Sequence, residues 1–128
     1  MERVTGIGGV FMQAQDPAAL AAWYATHLGL PVDLGDSAVL RWADDPQPEG
    51  GGATAWAVFA AGSPYFAPST APCMINYRVA DLDAMLAQLR EAGVPVDDRV
   101  EEYAYGRFGW ATDPEGHRFE LWQPIPPA

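Results

Sequence analysis

The side chains that most often carry out chemistry are scarce in this sequence. Cys73 is the only cysteine, which excludes an internal disulfide and a cysteine-based metal cage, and we expect a buried, unreactive thiol. Lysine is absent, so Schiff-base chemistry is excluded. The histidines, His27 and His117, lie far apart in the chain, and we expect both to be exposed rather than metal-bound. The candidate that remains is a carboxylate, Glu120.

Glu120 belongs to a predicted strand over residues 117–123, whose alternation places it on one face with Arg118 and Trp122. A carboxylate that faces a cavity needs a partner, because an unpaired buried charge is costly. Arg78 is the predicted partner. Two interpretations stay open: Glu120 acts as a general base or hydrogen-bond acceptor for a ligand, or the Arg78–Glu120 pair is purely structural.

Length and charge restrict the class of protein. The 128 residues, 49% of them hydrophobic, predict one compact domain over residues 1–128. Seven arginines against 17 carboxylates give a net charge of −10, which would repel a phosphate backbone, so no nucleic-acid partner is expected. No signal-peptide pattern and no membrane-spanning run is evident, so we expect a cytoplasmic protein with no membrane partner.

The chain contains an internal repeat. Gly-Leu-Pro-Val-Asp at residues 29–33 recurs as Gly-Val-Pro-Val-Asp at 93–97. Before each copy, a short strand runs into an aspartate, Asp16 or Asp81, and a helical pattern follows and ends at the glycine. Both aspartates are predicted N-caps.

Each half therefore reads as one βαβββ unit. The predicted repeats cover residues 7–60 and 73–123, and the segment 61–72 is the crossover between them. Two such units can bury the hollow faces that one alone would leave open. The strands predicted after the helices are 31–35, 38–43 and 54–60 in the first half and 97–102, 107–112 and 117–123 in the second.

Three features together are similar to a known family: the paired βαβββ units, Trp23-Tyr24 followed by Leu-Gly-Leu at 28–30, and Asp-Pro-Glu-Gly-His-Arg-Phe-Glu-Leu at 113–121. They resemble the vicinal oxygen chelate superfamily, which includes glyoxalase I, extradiol dioxygenases and bleomycin-resistance proteins. The resemblance covers about residues 7–123. It implies an α+β fold in which two paired βαβββ modules form a curved, half-barrel mixed sheet with helices on the convex face, and it implies a homodimer.

Metal-binding members of this superfamily place ligands on the first and last strands of each half. Glu120 matches the last strand of the second half, whereas the first-strand positions hold Gly9 and Met74. Residues 53–68, which should supply the fourth ligand, contain no Asp, Glu, His or Cys. A single carboxylate cannot hold an ion that needs three or more protein ligands. We therefore predict no metal and no other cofactor; a divalent metal on Glu120 is the alternative.

Strand alternation predicts an apolar, aromatic cavity of the kind that holds small molecules. In the last strand of the first half, alternation leaves open whether Trp56 with Val58 or Ala57 with Phe59 face this cavity. The candidate ligand-binding residues are Phe11, Gln13, Trp56, Phe59, Met74, Asn76, Arg78, Tyr103, Trp110 and Trp122.

The leading hypothesis is a small-molecule-binding protein, similar to bleomycin-resistance proteins, without a metal site and with an aromatic cavity centred on Glu120 and Arg78. One alternative is a metal-dependent glyoxalase-like lyase, isomerase or dioxygenase. A further alternative is a metal-free enzyme in which Glu120 is the general base. The identity of the ligand stays open, and so does whether the barrel closes within one chain or across a dimer.

Overall fold

The computed structural model describes residues 1–33, 35–42 and 53–124, apart from the side chains of His27 and Leu28. A βαβββ order occurs twice, and a 3₁₀ turn, Pro64–Phe66, lies between the two modules. The first module contains β1 (Val4–Ala14), α1 (Pro17–Leu28), β2 (Val32–Asp33), β3 (Ser37–Arg41) and β4 (Ala53–Ala60). The second contains β5 (Cys73–Val79), α2 (Leu82–Glu91), β6 (Glu101–Tyr103), β7 (Gly106–Thr112) and β8 (Arg118–Pro124).

Both helices begin where the sequence predicts. Asp16 Oδ1 accepts a hydrogen bond from the Ala19 amide at 3.1 Å, and Asp81 Oδ1 accepts one from the Ala84 amide at 3.0 Å. These contacts satisfy backbone N–H groups that have no partner within the helix. Helix α1 ends at Gly29, whose φ of 65° is left-handed and suits a residue without a Cβ. The capped starts of the two helices are thus confirmed.

All eight strands form one mixed sheet in the order β2-β3-β4-β1-β5-β8-β7-β6. The two modules join through the antiparallel pair β1–β5, and the parallel pairs β1–β4 and β5–β8 flank it. The sheet curls into a half-barrel, so the α+β fold with two paired modules is confirmed.

Strand alternation divides the core between the two faces of the sheet. On β8, Glu120 and Trp122 face the concave side, whereas Leu121 packs against α2 on the convex side. The concave cluster contains Phe11, Phe66, Met74, Phe108, Trp110 and Trp122. The convex cluster contains Val79, Leu82, Met85, Leu86 and Leu121.

Two local expectations are wrong. The strand predicted over 97–102 is continuous only from Glu101, because the chain before it makes a single bridge, Val96 to Ala111, and Asp97 turns its carboxylate to Arg118 at 2.7 Å. Cys73, the first residue of β5, is exposed rather than buried. In the described part of the chain, no helix has the length and apolar character needed to cross a bilayer.

Candidate functional site

Glu120 is 1% exposed and accepts three hydrogen bonds. Its Oε1 accepts from Asn76 Nδ2 at 2.6 Å, and its Oε2 accepts from Trp110 Nε1 at 2.9 Å and from the Tyr65 hydroxyl. The sheet register positions two of these donors, since Asn76 lies opposite Glu120 on β5 and Trp110 lies opposite it on β7. The 3₁₀ turn Pro64–Phe66 supplies the third. The carboxylate is therefore held by N–H and O–H donors from three directions.

Burial dominates the electrostatics of this group. Desolvation raises the pKa of the Glu120 carboxyl, and the hydrogen bonds from Tyr65, Asn76 and Trp110 oppose that rise. Burial, followed by the negative charge of Glu120, raises the pKa of the Tyr65 hydroxyl. Tyr65 is therefore a neutral phenol whose proton is committed to the carboxylate, which makes it a poor base.

The predicted Arg78–Glu120 pair is wrong. The Arg78 guanidinium lies 4.4 Å from the centre of the Trp42 ring, and its Nη1 donates to the Ala53 carbonyl at 3.2 Å. The reason is register: Asn76 is level with Glu120, whereas Arg78 lies two residues further along β5, roughly 7 Å away. The Asn76 amide therefore lies next to Glu120, where the Arg78 guanidinium was predicted.

The residues around Glu120 do not fit a metal ion. Asn76, Gly9 and Ala55 are the residues level with it on the neighbouring strands, and Met74 pairs one step further along, with Phe11. Within the described ranges, no cluster of three or more His, Cys, Asp or Glu side chains occurs. A cation would also have to displace the N–H and O–H donors that hold both carboxylate oxygens. Among the described residues, this donor set is therefore too small to fit a divalent metal ion.

His117 adds no ligand to this set. His117 is exposed in the turn between β7 and β8, where its Nδ1 lies 3.0 Å from Asp113 Oδ2. The side chain of His27 falls outside the described residues.

A cavity of about 880 Å³ occupies the hollow of the half-barrel. Strand β4 leaves this space open, because Ala53, Ala55 and Ala57 are the small residues on its concave face. Aromatic rings form much of the remaining wall: Phe59 stacks on Tyr65 with ring centres 5.0 Å apart, and Phe108 stacks on Trp122 at 5.9 Å. The other aromatic lining residues are Phe11, Trp56, Tyr103 and Tyr105.

The predicted site residues divide into two groups. Trp56 borders the cavity, but its ring packs on Tyr24 of α1, so Ala57 and Phe59 are the residues that face inward. Gln13 instead accepts a hydrogen bond from the Gly62 amide at 3.4 Å. Phe11, Trp56, Phe59, Asn76, Tyr103, Glu120 and Trp122 line the cavity, whereas Gln13, Met74, Arg78 and Trp110 lie behind or beside it.

The lining also includes Tyr65, Tyr105 and Phe108, which are not among the candidate ligand-binding residues predicted from the sequence. Tyr65 lies in the proline-rich crossover 61–72, for which no strand alternation gives a direction. Its one signal in the sequence is the Ser63-Pro64 pair, because Ser63 caps the 3₁₀ turn that carries it.

The glyoxalase-like domain model matches residues 9–122 of the chain. No curated protein sequence matches it significantly. Among solved structures, methylmalonyl-CoA epimerase from Mycobacterium tuberculosis is similar, with 22% identity, a TM-score of 0.63 and coverage of 96% of this chain and 90% of that one. Streptomyces coelicolor methylmalonyl-CoA epimerase, in complex with 2-nitronate-propionyl-CoA, has 22% identity, a TM-score of 0.66 and coverage of 94% and 97%.

A glyoxalase/bleomycin resistance protein/dioxygenase superfamily member from Vibrio splendidus has 14% identity, a TM-score of 0.55 and coverage of 95% of this chain and 98% of that one. At these identities the solved structures establish the fold alone. The family model spans nearly the whole chain, including both modules and the cavity between them. The chain therefore belongs to the glyoxalase-like domain family of the vicinal oxygen chelate superfamily.

Proposed function

We propose that this chain is a metal-independent binding protein for a small, apolar or aromatic molecule, which it holds in the half-barrel cavity. The volume of about 880 Å³ and the aromatic walls suit such a ligand. A planar ring can stack on Tyr65 or Trp122 while its edge contacts the alanines of β4.

The observation that carries the proposal is the environment of Glu120. Its two oxygens are engaged by Tyr65, Asn76 and Trp110, and 1% of the residue is exposed. This arrangement favours a carboxylate that braces the cavity wall over one that abstracts a proton from a ligand, because a general base must come within hydrogen-bond reach of its substrate.

A metal-dependent lyase, isomerase or dioxygenase is the main alternative. The solved epimerase structures support this alternative only through their similar fold. Function depends on the residues of the site and not on the fold. The donor set around Glu120 argues against it, as described above. A homodimer and a cytoplasmic location stay predictions from the sequence and the family resemblance.

Ligand screening by thermal denaturation tests the binding proposal. A compound present at 100 times its dissociation constant should add about 2.7 kcal/mol to the free energy of unfolding. Ala57→Leu narrows the cavity from the inward face of β4 and should weaken the stabilisation, whereas Ala60→Leu, at the exposed end of the same strand, should preserve it.

Two results would overturn the proposal. The first is a stoichiometric transition metal in protein purified without chelator that is lost in Glu120→Gln. The second is a ligand whose stabilisation is the same in Ala57→Leu as in the unmodified protein, because that ligand would bind outside the cavity.

A further inference from the structure

We infer that the cavity selects molecules that bring their own hydrogen-bond donors, and specifically apolar ring systems that carry an amine or a protonated ring nitrogen. This inference rests on the proposed function and names the chemical class of its ligand. It follows from where the donor hydrogens of the cavity wall point.

Two of the three tyrosine hydroxyls in the described part of the wall donate to carboxylates. Tyr65 donates to Glu120, and Tyr103 donates to Glu101 Oε1 at 2.5 Å. A hydroxyl has one hydrogen and two acceptor lone pairs, so each of these oxygens can offer a ligand only an acceptor. Tyr65 and Tyr103 therefore share the same hydrogen-bonding pattern.

Three further polar side chains of the wall, those of Trp122, Ser37 and Asn76, also donate to acceptors within the protein. Trp122 Nε1 donates to the Tyr105 carbonyl at 3.2 Å, and the Ser37 hydroxyl donates to the Asp33 carbonyl at 3.3 Å. Asn76 donates to Glu120 and is 1% exposed. Among the lining residues that the structure describes, three side-chain donors point to no recorded acceptor: Arg41, the Tyr105 hydroxyl and Trp56 Nε1. Arg41 and Tyr105 are exposed, and the Trp56 ring packs on Tyr24 of α1.

The charges of the lining agree with the hydrogen-bond pattern. Asp33 and Arg41, both exposed lining residues, have opposite charges, and Glu120 adds a buried carboxylate to the lining. The whole chain carries −10. Aromatic faces also attract cations. A protonated amine placed against the tyrosine rings is therefore stabilised, whereas a carboxylate in the same place is repelled. A ligand carboxylate would meet oxygen lone pairs and a buried anion.

The test uses three probes that share one ring system: naphthylmethylamine, naphthylmethanol and naphthoic acid. Dissociation constants are measured by isothermal titration at pH 8, with Ala57→Leu as the control for binding inside the cavity. We expect the amine to bind at least tenfold more tightly than the acid, with the alcohol between them. Tyr65→Phe and Tyr103→Phe remove one acceptor each and should narrow that ratio, whereas Tyr77→Phe, whose ring packs on Phe119 on the convex face, should not.

The outcomes separate this inference from the proposed function. If the acid binds as tightly as the amine and Ala57→Leu weakens both, the donor inference is wrong and the binding proposal stands. If the amine is preferred but neither tyrosine variant changes the ratio, the preference does not come from these hydroxyls and the inference is again wrong. If no probe binds in a manner sensitive to Ala57→Leu, both fail. Because Tyr103 is exposed, Tyr103→Phe keeps the test available should Tyr65→Phe not fold.

Discussion

Tyr65→Phe isolates the hydrogen bond between the crossover and the buried carboxylate. The substitution removes one hydroxyl and keeps the ring, so the stacking on Phe59 and the edge contact with Trp110 at 5.7 Å are preserved. What is lost is a donor to Glu120 at a site that water reaches poorly.

The expected cost follows from burial. A hydrogen bond to a charged group contributes about 1.5–3 kcal/mol to the free energy of unfolding. Removing the donor costs an amount in the upper part of that range when the acceptor is buried and finds no other partner. We expect Tyr65→Phe to lower the free energy of unfolding by about 2 kcal/mol. Tyr103→Phe makes the same chemical change in a residue that is 46% exposed, where water replaces the lost hydroxyl, so its effect should be close to zero.

Urea denaturation at pH 8, followed by tryptophan fluorescence, measures both variants against the unmodified protein. Equal losses in the two variants would refute the reasoning, because burial could not then be the cause of the difference. A Tyr65→Phe variant as stable as the unmodified protein would mean that the Tyr65–Glu120 hydrogen bond is not formed in solution.

Three further predictions concern stability. Gly8→Ala should cost about 2 kcal/mol or more in urea denaturation, because a Cβ there would lie 2.0 Å from Asn76 Oδ1; a neutral result would mean that this amide is free to move. Burial raises the pKa of Glu120, so its stabilising contribution is present below about pH 4 and is lost as the pH rises through the folded-state pKa. Denaturation curves should therefore show the unmodified protein losing stability relative to Glu120→Gln as the pH rises from about 4 to 8, and a constant difference would contradict this. Arg107→Ala breaks the exposed pairs with Asp83 at 3.0 Å and Glu102 at 3.1 Å and should leave the free energy of unfolding in urea nearly unchanged, with any loss shrinking in high salt.

The structural features that could be predicted from the sequence depend on local contacts or on periodic patterns. The caps at Asp16 and Asp81 need only a side chain and an amide three residues away, so type and spacing suffice. The concave position of Glu120 needs only the alternation of one strand. The repeat then supplies the βαβββ order of both modules, and with it the fold.

The failures come from relations between segments. Arg78 has the charge to pair with Glu120, but the parallel register of β5 with β8 puts Asn76 level with it, and one strand read alone carries no information on register. Tyr65 lies in a crossover with no periodicity, 55 positions from Glu120 in the chain. Its hydrogen bond to Glu120 depends on the tertiary structure and could not be predicted from local sequence. Both errors concern the same carboxylate, whose surroundings are assembled from four separate parts of the chain.

That assembly explains why Glu120 can be retained without being catalytic. If it were replaced by an apolar residue, the hydroxyl of Tyr65, the amide of Asn76 and the indole N–H of Trp110 would all lose their acceptor. Each buried donor left unpaired costs about 1–3 kcal/mol, so the network as a whole constrains this position more tightly than any one ligand contact could. Loss of function in a Glu120 variant is therefore weak evidence for a general base. If Glu120 is a general base, Glu120→Gln should change the pH profile of turnover while the protein stays folded. If Glu120 has a structural role, the same substitution should change stability and ligand binding together.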